Sequence, residues 1–167
     1  MRRKIFMAFA TIAFSTVMLT ACNQEKEKMA QEHHANPLDD AANQKFLADN
    51  AAKDGVVKRP SGLQYRVLQT GSGKSVTNGN DMVTVTYKGW LINGKVFDQT
   101  QPGKTATFPA GRLIPGWVEA LSLMKEGDEW QLVIPSDLGY GARGAGADIP
   151  PNQTLVFDMK LIAVSAP

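Results

Sequence analysis

Three stretches of this 167-residue sequence hold residue types that could do chemistry. The first is "YGARGAGADIPPNQTLVFDMKL", residues 140–161, where three glycines and three alanines take six of the seven positions from Gly141 to Ala147. A glycine-rich loop cradles phosphate when it leaves a strand and opens a helix, because the first helical amides then face the anion. This loop leads instead to Pro150-Pro151, which donate no amide hydrogen. Beyond them Leu155, Phe157, Met159 and Leu161 alternate with Val156, Asp158 and Lys160. A period of two is a strand, so the order of elements argues against phosphate. The second stretch is His33-His34. Adjacent histidines without a regularly spaced third ligand read as solvated chain, and no metal is expected. The third is Cys22, the only cysteine, which excludes an intrachain disulfide.

What precedes Cys22 gives it a role. Arg2, Arg3 and Lys4 lead into the 15-residue uncharged run "IFMAFATIAFSTVML", which ends at "LTAC". A basic start, an apolar stretch and small residues form a secretory signal. The run is shorter than the ~20 residues that a spanning helix needs. "LTAC" resembles the bacterial lipobox. That resemblance implies cleavage before Cys22, diacylation of its thiol and acylation of the new amino group; an ordinary signal peptide with an incidental cysteine is the alternative. Several acyl chains anchor stably where one holds only marginally. Asn23 is not the aspartate that retains lipoproteins in the inner membrane of enteric bacteria, so the periplasmic face of the outer membrane is expected. Cleavage removes three of the 18 basic residues, leaving 15 against 16 acidic ones and a formal charge of −1. No dense basic patch remains, and nothing supports nucleic-acid binding.

Four segments follow from the patterning. Residues 1–21 are the signal, and 22–36 a lipidated flexible tether with too few apolar side chains to offset its ordering entropy. Residues 37–59 hold a short helix and linker. Within "NPLDDAANQKFLADNAAKDG", Asn36 can cap, Pro37 suits the first turn, Asp39 and Asp40 favour the positive end of the dipole, and Gly55 can stop the helix. Its apolar face is thin (Leu38, Ala42, Phe46 and Leu47), so it needs a surface to dock on, in its own domain or on a second copy. From Pro60 to residue 167 strands dominate: 63–69, 82–92, "KVFD", "ATF", 129–135 and "TLVFDMKLI". In the second, Val83, Val85 and Tyr87 share one face. One helix is clear at 115–124, with Trp117, Leu121 and Met124 at i, i+4 and i+7 and Gly127 as its stop. Without β-α alternation, this predicts the α+β class, an antiparallel sheet with one short helix laid on it.

At this point the motifs become specific. "VTVTYKGWLINGKVFDQT" and "GRLIPGWVEALSLMKEGDEWQLVIPSDLGYGARGAGADIPPNQTLVFDMKL" resemble the FKBP-type peptidyl-prolyl isomerases over residues 60–164, through the order and spacing of "YKG", "VFD", "IPGW", "GYG" and "IPPNQTLVFD". The preceding residues resemble the lead-in of bacterial lipoprotein members of the infectivity-potentiator type. Those carry a long dimerising helix upstream; this chain has only the short one, so a monomer is favoured and the oligomeric state left open.

The resemblance implies a curved antiparallel sheet wrapped around the 115–124 helix, with an apolar pocket between them. Trp117 is its floor, and Tyr87, Phe97, Phe108 and Phe157 are its walls. Leu113 and Ile114 form the rim before the helix, Tyr140 sits at the mouth, Asp98 is the acid beside Phe97, and Ile149 lies in the glycine-rich flap. Without the resemblance, scattered aromatics in strands read as core. The implied activity is cis–trans isomerisation of X-Pro bonds in unfolded or extended polypeptides, inhibited by the macrolides this family binds. An isomerase that stabilises a twisted amide requires no nucleophile, metal or cofactor. The Ile114 amide and the Tyr140 hydroxyl are expected to hold flanking carbonyls, while Asp98 accepts hydrogen bonds. Three departures stand out: Ala106 where many members carry an aromatic, Asp148 where isoleucine is common, and a shorter "FPAGRLIPGW" loop. A docking module that binds proline segments without turnover is the alternative.

Overall fold

The computed structural model describes residues 38–166. The signal, the tether, Cys22, His33-His34 and the expected Asn36–Pro37 cap lie outside the described residues.

Alternation along the chain dictates the strands. β1 (Val56–Lys58), β2 (Gln64–Gln69), β3 (Met82–Leu91), β4 (Val96–Gln99), β5 (Ala106–Pro109), β6 (Glu129–Ile134) and β7 (Leu155–Ser165) form one antiparallel sheet. The order is β1-β2-β6-β7-β3-β4, with β5 paired to the first half of β3 and β4 to the second. β3 and β7 pair along their whole lengths at the centre. In β3, Val83 and Val85 are fully buried, as the face reading predicts, while Tyr87 on the same face is partly buried and packs against the core. A register shift at Thr84/Val85 breaks the alternation of β7, so that Leu161 and Val164, an odd number of residues apart, both face the core. Such a bulge adds twist and bends the strand. β1 has no counterpart in the sequence reading: the sheet begins at Val56, four residues before Pro60.

Two α-helices lie among the described residues, α1 (Asp40–Ala51) and α2 (Pro115–Leu123). Pro115 opens α2, where its missing amide hydrogen costs nothing. Trp117, Ala120 and Leu121 form the buried face of α2, and they pack with Val85, Leu132, Ile134, Phe157 and Met159 of the sheet in one core. A Cβ on Gly116 would lie 2.6 Å from Ile134 Cγ2, so the start of α2 has no spare room against β6. The helix ends one residue earlier than expected. Met124 turns to extended backbone, while Gly127 (φ +93) serves the turn beyond it rather than stopping the helix.

α1 departs further from expectation. Asp39 caps it, accepting a hydrogen bond from the Ala42 amide at 2.7 Å. The helix docks on its own domain, with Leu38 of the thin apolar face packed against the core and buried amides making the hydrogen-bonded contact. Asn43 and Asn50, seven residues apart and both buried, are the contact. Asn43 Oδ1 accepts from the Thr154 amide at 2.7 Å, and its Nδ2 donates to the Asp39 carbonyl at 3.0 Å. Asn50 Nδ2 donates to Gln64 Oε1 at 2.9 Å, while Gln64 Nε2 returns a bond to the Leu47 carbonyl. Burying amides is tolerable because these groups are paired.

Candidate active site

The N-terminal half of α2, the β3–β4 hairpin, β5, β7 and the flap converge on a cleft of about 360 Å³. β3 contributes Tyr87, β4 Phe97 and Asp98, β5 Phe108, and β7 Phe157. After β5 a short 3₁₀ turn (Ala110–Arg112) delivers Leu113 and Ile114 to the rim just before Trp117. Tyr140 and Ile149 come from the flap. All ten expected domain residues line this cleft, together with Ala145 and Asp148; Cys22 is the exception, outside the described residues. A larger hollow of about 550 Å³ lies between α1 and the loops near Ser61 and Ser136. It is lined mainly by amides, hydroxyls and charges and includes none of the ten. Its size therefore does not recommend it over the aromatic cleft.

Trp117 is 5 % exposed and organises the aromatic set. Tyr87, Phe157 and Phe108 meet it at centroid separations of 5.0, 5.1 and 6.4 Å, with interplanar angles between 76 and 81°. Phe97 meets Phe157 at 5.4 Å and 85°. Edge-to-face packing sets the positive rim of one ring against the negative face of another and holds each ring's orientation. The sequence reading missed the residue that makes this possible. Gly89, between Asp98 and Phe157 in the sheet, leaves space that a side chain would fill: its Cβ would lie 2.5 Å from Phe157 Cε1 and 2.7 Å from Phe97 Cζ. A glycine inside a strand often signals such an approach.

Polar groups are few. The Tyr87 hydroxyl donates to Asp98 Oδ2 at 2.6 Å. Burial, reinforced by this bond and the carboxylate charge, pushes the Tyr87 phenol far above its ordinary range. Burial and the Asp98 charge also raise Tyr140. Both phenols are therefore neutral donors at physiological pH. The Ile114 carbonyl accepts from the Trp117 and Val118 amides, closing the first turn of α2. Its own amide N–H has no partner among the described residues and borders the cleft.

The flap is a small hairpin of its own. Ala145 and Ile149 exchange backbone hydrogen bonds at 2.8 and 3.1 Å, and the Asn152 amide returns to the Gly141 carbonyl at 2.9 Å. Gly144 has φ +62, and a Cβ there would overlap the Ile149 carbonyl. That close approach requires glycine at 144, whereas Gly141 (φ +57) and Gly146 (φ +56) meet nothing within 4 Å and serve the left-handed backbone of the flap. Asp148, between the paired residues, forms an ion pair with Lys95 of the β3–β4 turn at 2.9 Å.

Residues 73–162 match the family described as FKBP-type peptidyl-prolyl cis-trans isomerase, and residues 7–67 match the domain amino terminal to it. The chain belongs to the FKBP-type peptidyl-prolyl cis-trans isomerase family. It is 46% identical over 153 residues to a probable FKBP-type isomerase, FkpA, of Neisseria meningitidis, covering 90% of this chain and 56% of the relative. It is 44% identical over 152 residues to the outer membrane protein MIP of Legionella longbeachae, covering 90% of this chain and 62% of that one. The chain thus spans little more than half the length of these curated relatives. A crystal structure of a peptidyl-prolyl cis-trans isomerase from Pseudomonas syringae superposes with a TM-score of 0.70 at 42% identity, over 75% of this chain and 92% of that one. These likenesses establish the FKBP fold, of the α+β class.

Proposed function

We propose that this chain is a peptidyl-prolyl cis-trans isomerase for proline-containing segments of exported polypeptides, held in the bacterial envelope by lipid on Cys22. The observation that carries the reading is the aromatic cleft floored by Trp117, with donors at its edge. The relatives' names, an isomerase and an outer membrane protein, agree with it.

An X-Pro amide is planar because its nitrogen lone pair is delocalised, and rotation crosses a barrier near 20 kcal/mol. At the 90° twist conjugation is lost, the carbonyl is less negative and the nitrogen becomes a pyramidal amine. An apolar cleft favours this less dipolar state over the planar one, which is preferential binding of the transition state. In this reading Trp117 supports the proline ring, with Tyr87, Phe108 and Phe157 around it. The Ile114 amide and the Tyr140 hydroxyl hold the flanking carbonyls while the bond turns. Asp98, fixed by Tyr87, orients that phenol and presents a partial charge to the twisting carbonyl carbon; Phe97, Leu113 and Ile149 exclude water. A barrier lowered by about 5.4 kcal/mol gives roughly 10⁴-fold acceleration.

The organisation that goes with this function is a signal at 1–21, a lipidated tether at 22–36, a helix and linker at 37–59, and the isomerase domain at 60–167, facing the periplasm from the outer membrane. Two measurements test it. A refolding reaction limited by X-Pro isomerisation should accelerate at substoichiometric amounts of the purified protein. Binding of the refolding chain without a faster slow phase would leave a docking module instead. Expressed in bacteria, the Cys22→Ala chain should move from the membrane fraction to the soluble fraction; unchanged sedimentation would contradict the anchor.

A further inference from the structure

The cleft is walled mainly by aromatic and aliphatic side chains, and the two charged residues that line it are both acidic, Asp98 and Asp148. They are not equivalent. Asp98 is engaged by the Tyr87 hydroxyl at 2.6 Å. Asp148 stands on the flap, placed between the mutually hydrogen-bonded Ala145 and Ile149, with its side chain 64% exposed at the mouth. Only Oδ1 is engaged, by Lys95 at 2.9 Å; Oδ2 has no partner among the described residues. Lys95 reaches in from the β3–β4 turn, is itself half exposed and does not line the cleft.

We infer that Asp148 is a specificity-determining residue that favours substrates with a basic side chain next to the proline, and that Lys95 competes with the substrate for it. This rests on the isomerase reading above. With the proline ring on Trp117, a neighbouring side chain directed toward the flap comes to Asp148, which lines the same cleft. A lysine or arginine there meets an acceptor oxygen and a negative field; a glutamate meets two carboxylates of like charge. Both members of the Lys95–Asp148 pair are solvent-exposed, so the pair is worth little in stability and gives way readily. The same exposure keeps the preference modest.

The experiment measures kcat/KM for three otherwise identical peptides, Lys-Pro, Ala-Pro and Glu-Pro, with each rate taken relative to the same variant's rate on Ala-Pro. The native protein should favour Lys-Pro over Glu-Pro by about twofold to fivefold for each exposed charge contact. The ratio should fall toward unity in Asp148→Asn, rise in Lys95→Met, and shrink when ionic strength increases from 0.05 to 0.5 M. A Lys-Pro to Glu-Pro ratio of one in the native protein, or a ratio unchanged in Asp148→Asn, overturns the assignment. Failure to accelerate even Ala-Pro would instead overturn the isomerase reading on which it rests.

Discussion

Replacing Gly89 with alanine asks whether the aromatic cleft is as tightly built as its geometry implies. The new Cβ would lie 2.5 Å from Phe157 Cε1 and 2.7 and 2.8 Å from two Phe97 ring atoms. Non-bonded carbons sit at about 3.5–4.0 Å, so roughly 1 Å of clearance is missing on both sides. Phe157 is 3 % exposed and wedged against Trp117 and Phe97, so it cannot retreat. Phe97 is only partly buried and must move outward, opening one wall of the cleft. Overpacking of this kind costs about 1–3 kcal/mol. For a chain of this size that lowers Tm by roughly 2–12 °C. A wall displaced by about 1 Å should also reduce kcat/KM tenfold or more. Urea and thermal melts followed by tryptophan fluorescence give the first quantity, and peptide exchange below Tm the second. Gly94→Ala is the control: φ is +86 there, but a Cβ would meet nothing within 4 Å, so it should strain the turn without touching turnover. Wild-type stability and rate in Gly89→Ala, or an equal loss of rate in Gly94→Ala, would refute the reasoning.

Five further outcomes are expected. Tyr140→Phe should lower kcat/KM less than about tenfold, since one hydroxyl contact at a 40% exposed residue is lost, whereas Trp117→Ala should cost about 3–5 kcal/mol of stability by denaturant melt. Activity should be flat from about pH 5.5 to 8, because the reaction transfers no proton and the two cleft phenols titrate above their ordinary value; a bell-shaped profile would count against the mechanism. Asp81, held by the Thr77 and Asn78 amides, and Glu126, held by the Val164 and Lys74 amides, both have lowered pKa values. Their stabilisation is therefore complete above the unfolded values of 3.8 and 4.5 and is lost as pH falls through the lower folded ones, so Asp81→Asn should flatten the acid limb of a Tm-versus-pH curve. Asn43→Ala leaves the buried Thr154 amide without its acceptor and should cost about 1–3 kcal/mol. Because Gln153 and Thr154 follow the flap directly, hydrogen exchange there should quicken.

The central strands were legible because β3 and β7 carry long alternations, and α2 because its apolar residues repeat at helical spacing after a proline. β1 was not: "VVK" is too short to show a period, and pairing with β2 makes it a strand. The docking face of α1 was hidden for a different reason. A hydrophobic template seeks apolar side chains, whereas this interface buries Asn43 and Asn50 against Gln64 and Thr154, partners that only the fold brings near. The candidate site divides along the same line. Its aromatics would pass for core on composition, and only motif order picks out the set that the structure gathers around one cleft. The space at Gly89 depends on two rings from other strands, and the Lys95–Asp148 pair joins positions 53 apart in sequence. The pair leaves no local signature, and a glycine inside a strand is the one local hint of the space at Gly89.

The measurement closest to the central claim is cis–trans exchange of a short X-Pro peptide by NMR, with the purified protein alone and with a macrolide of the kind this family binds. Exchange accelerated by orders of magnitude and abolished by the macrolide is the predicted result, and it assigns turnover to the cleft floored by Trp117. Exchange no faster than in buffer, or acceleration that survives saturation of the cleft, would contradict it.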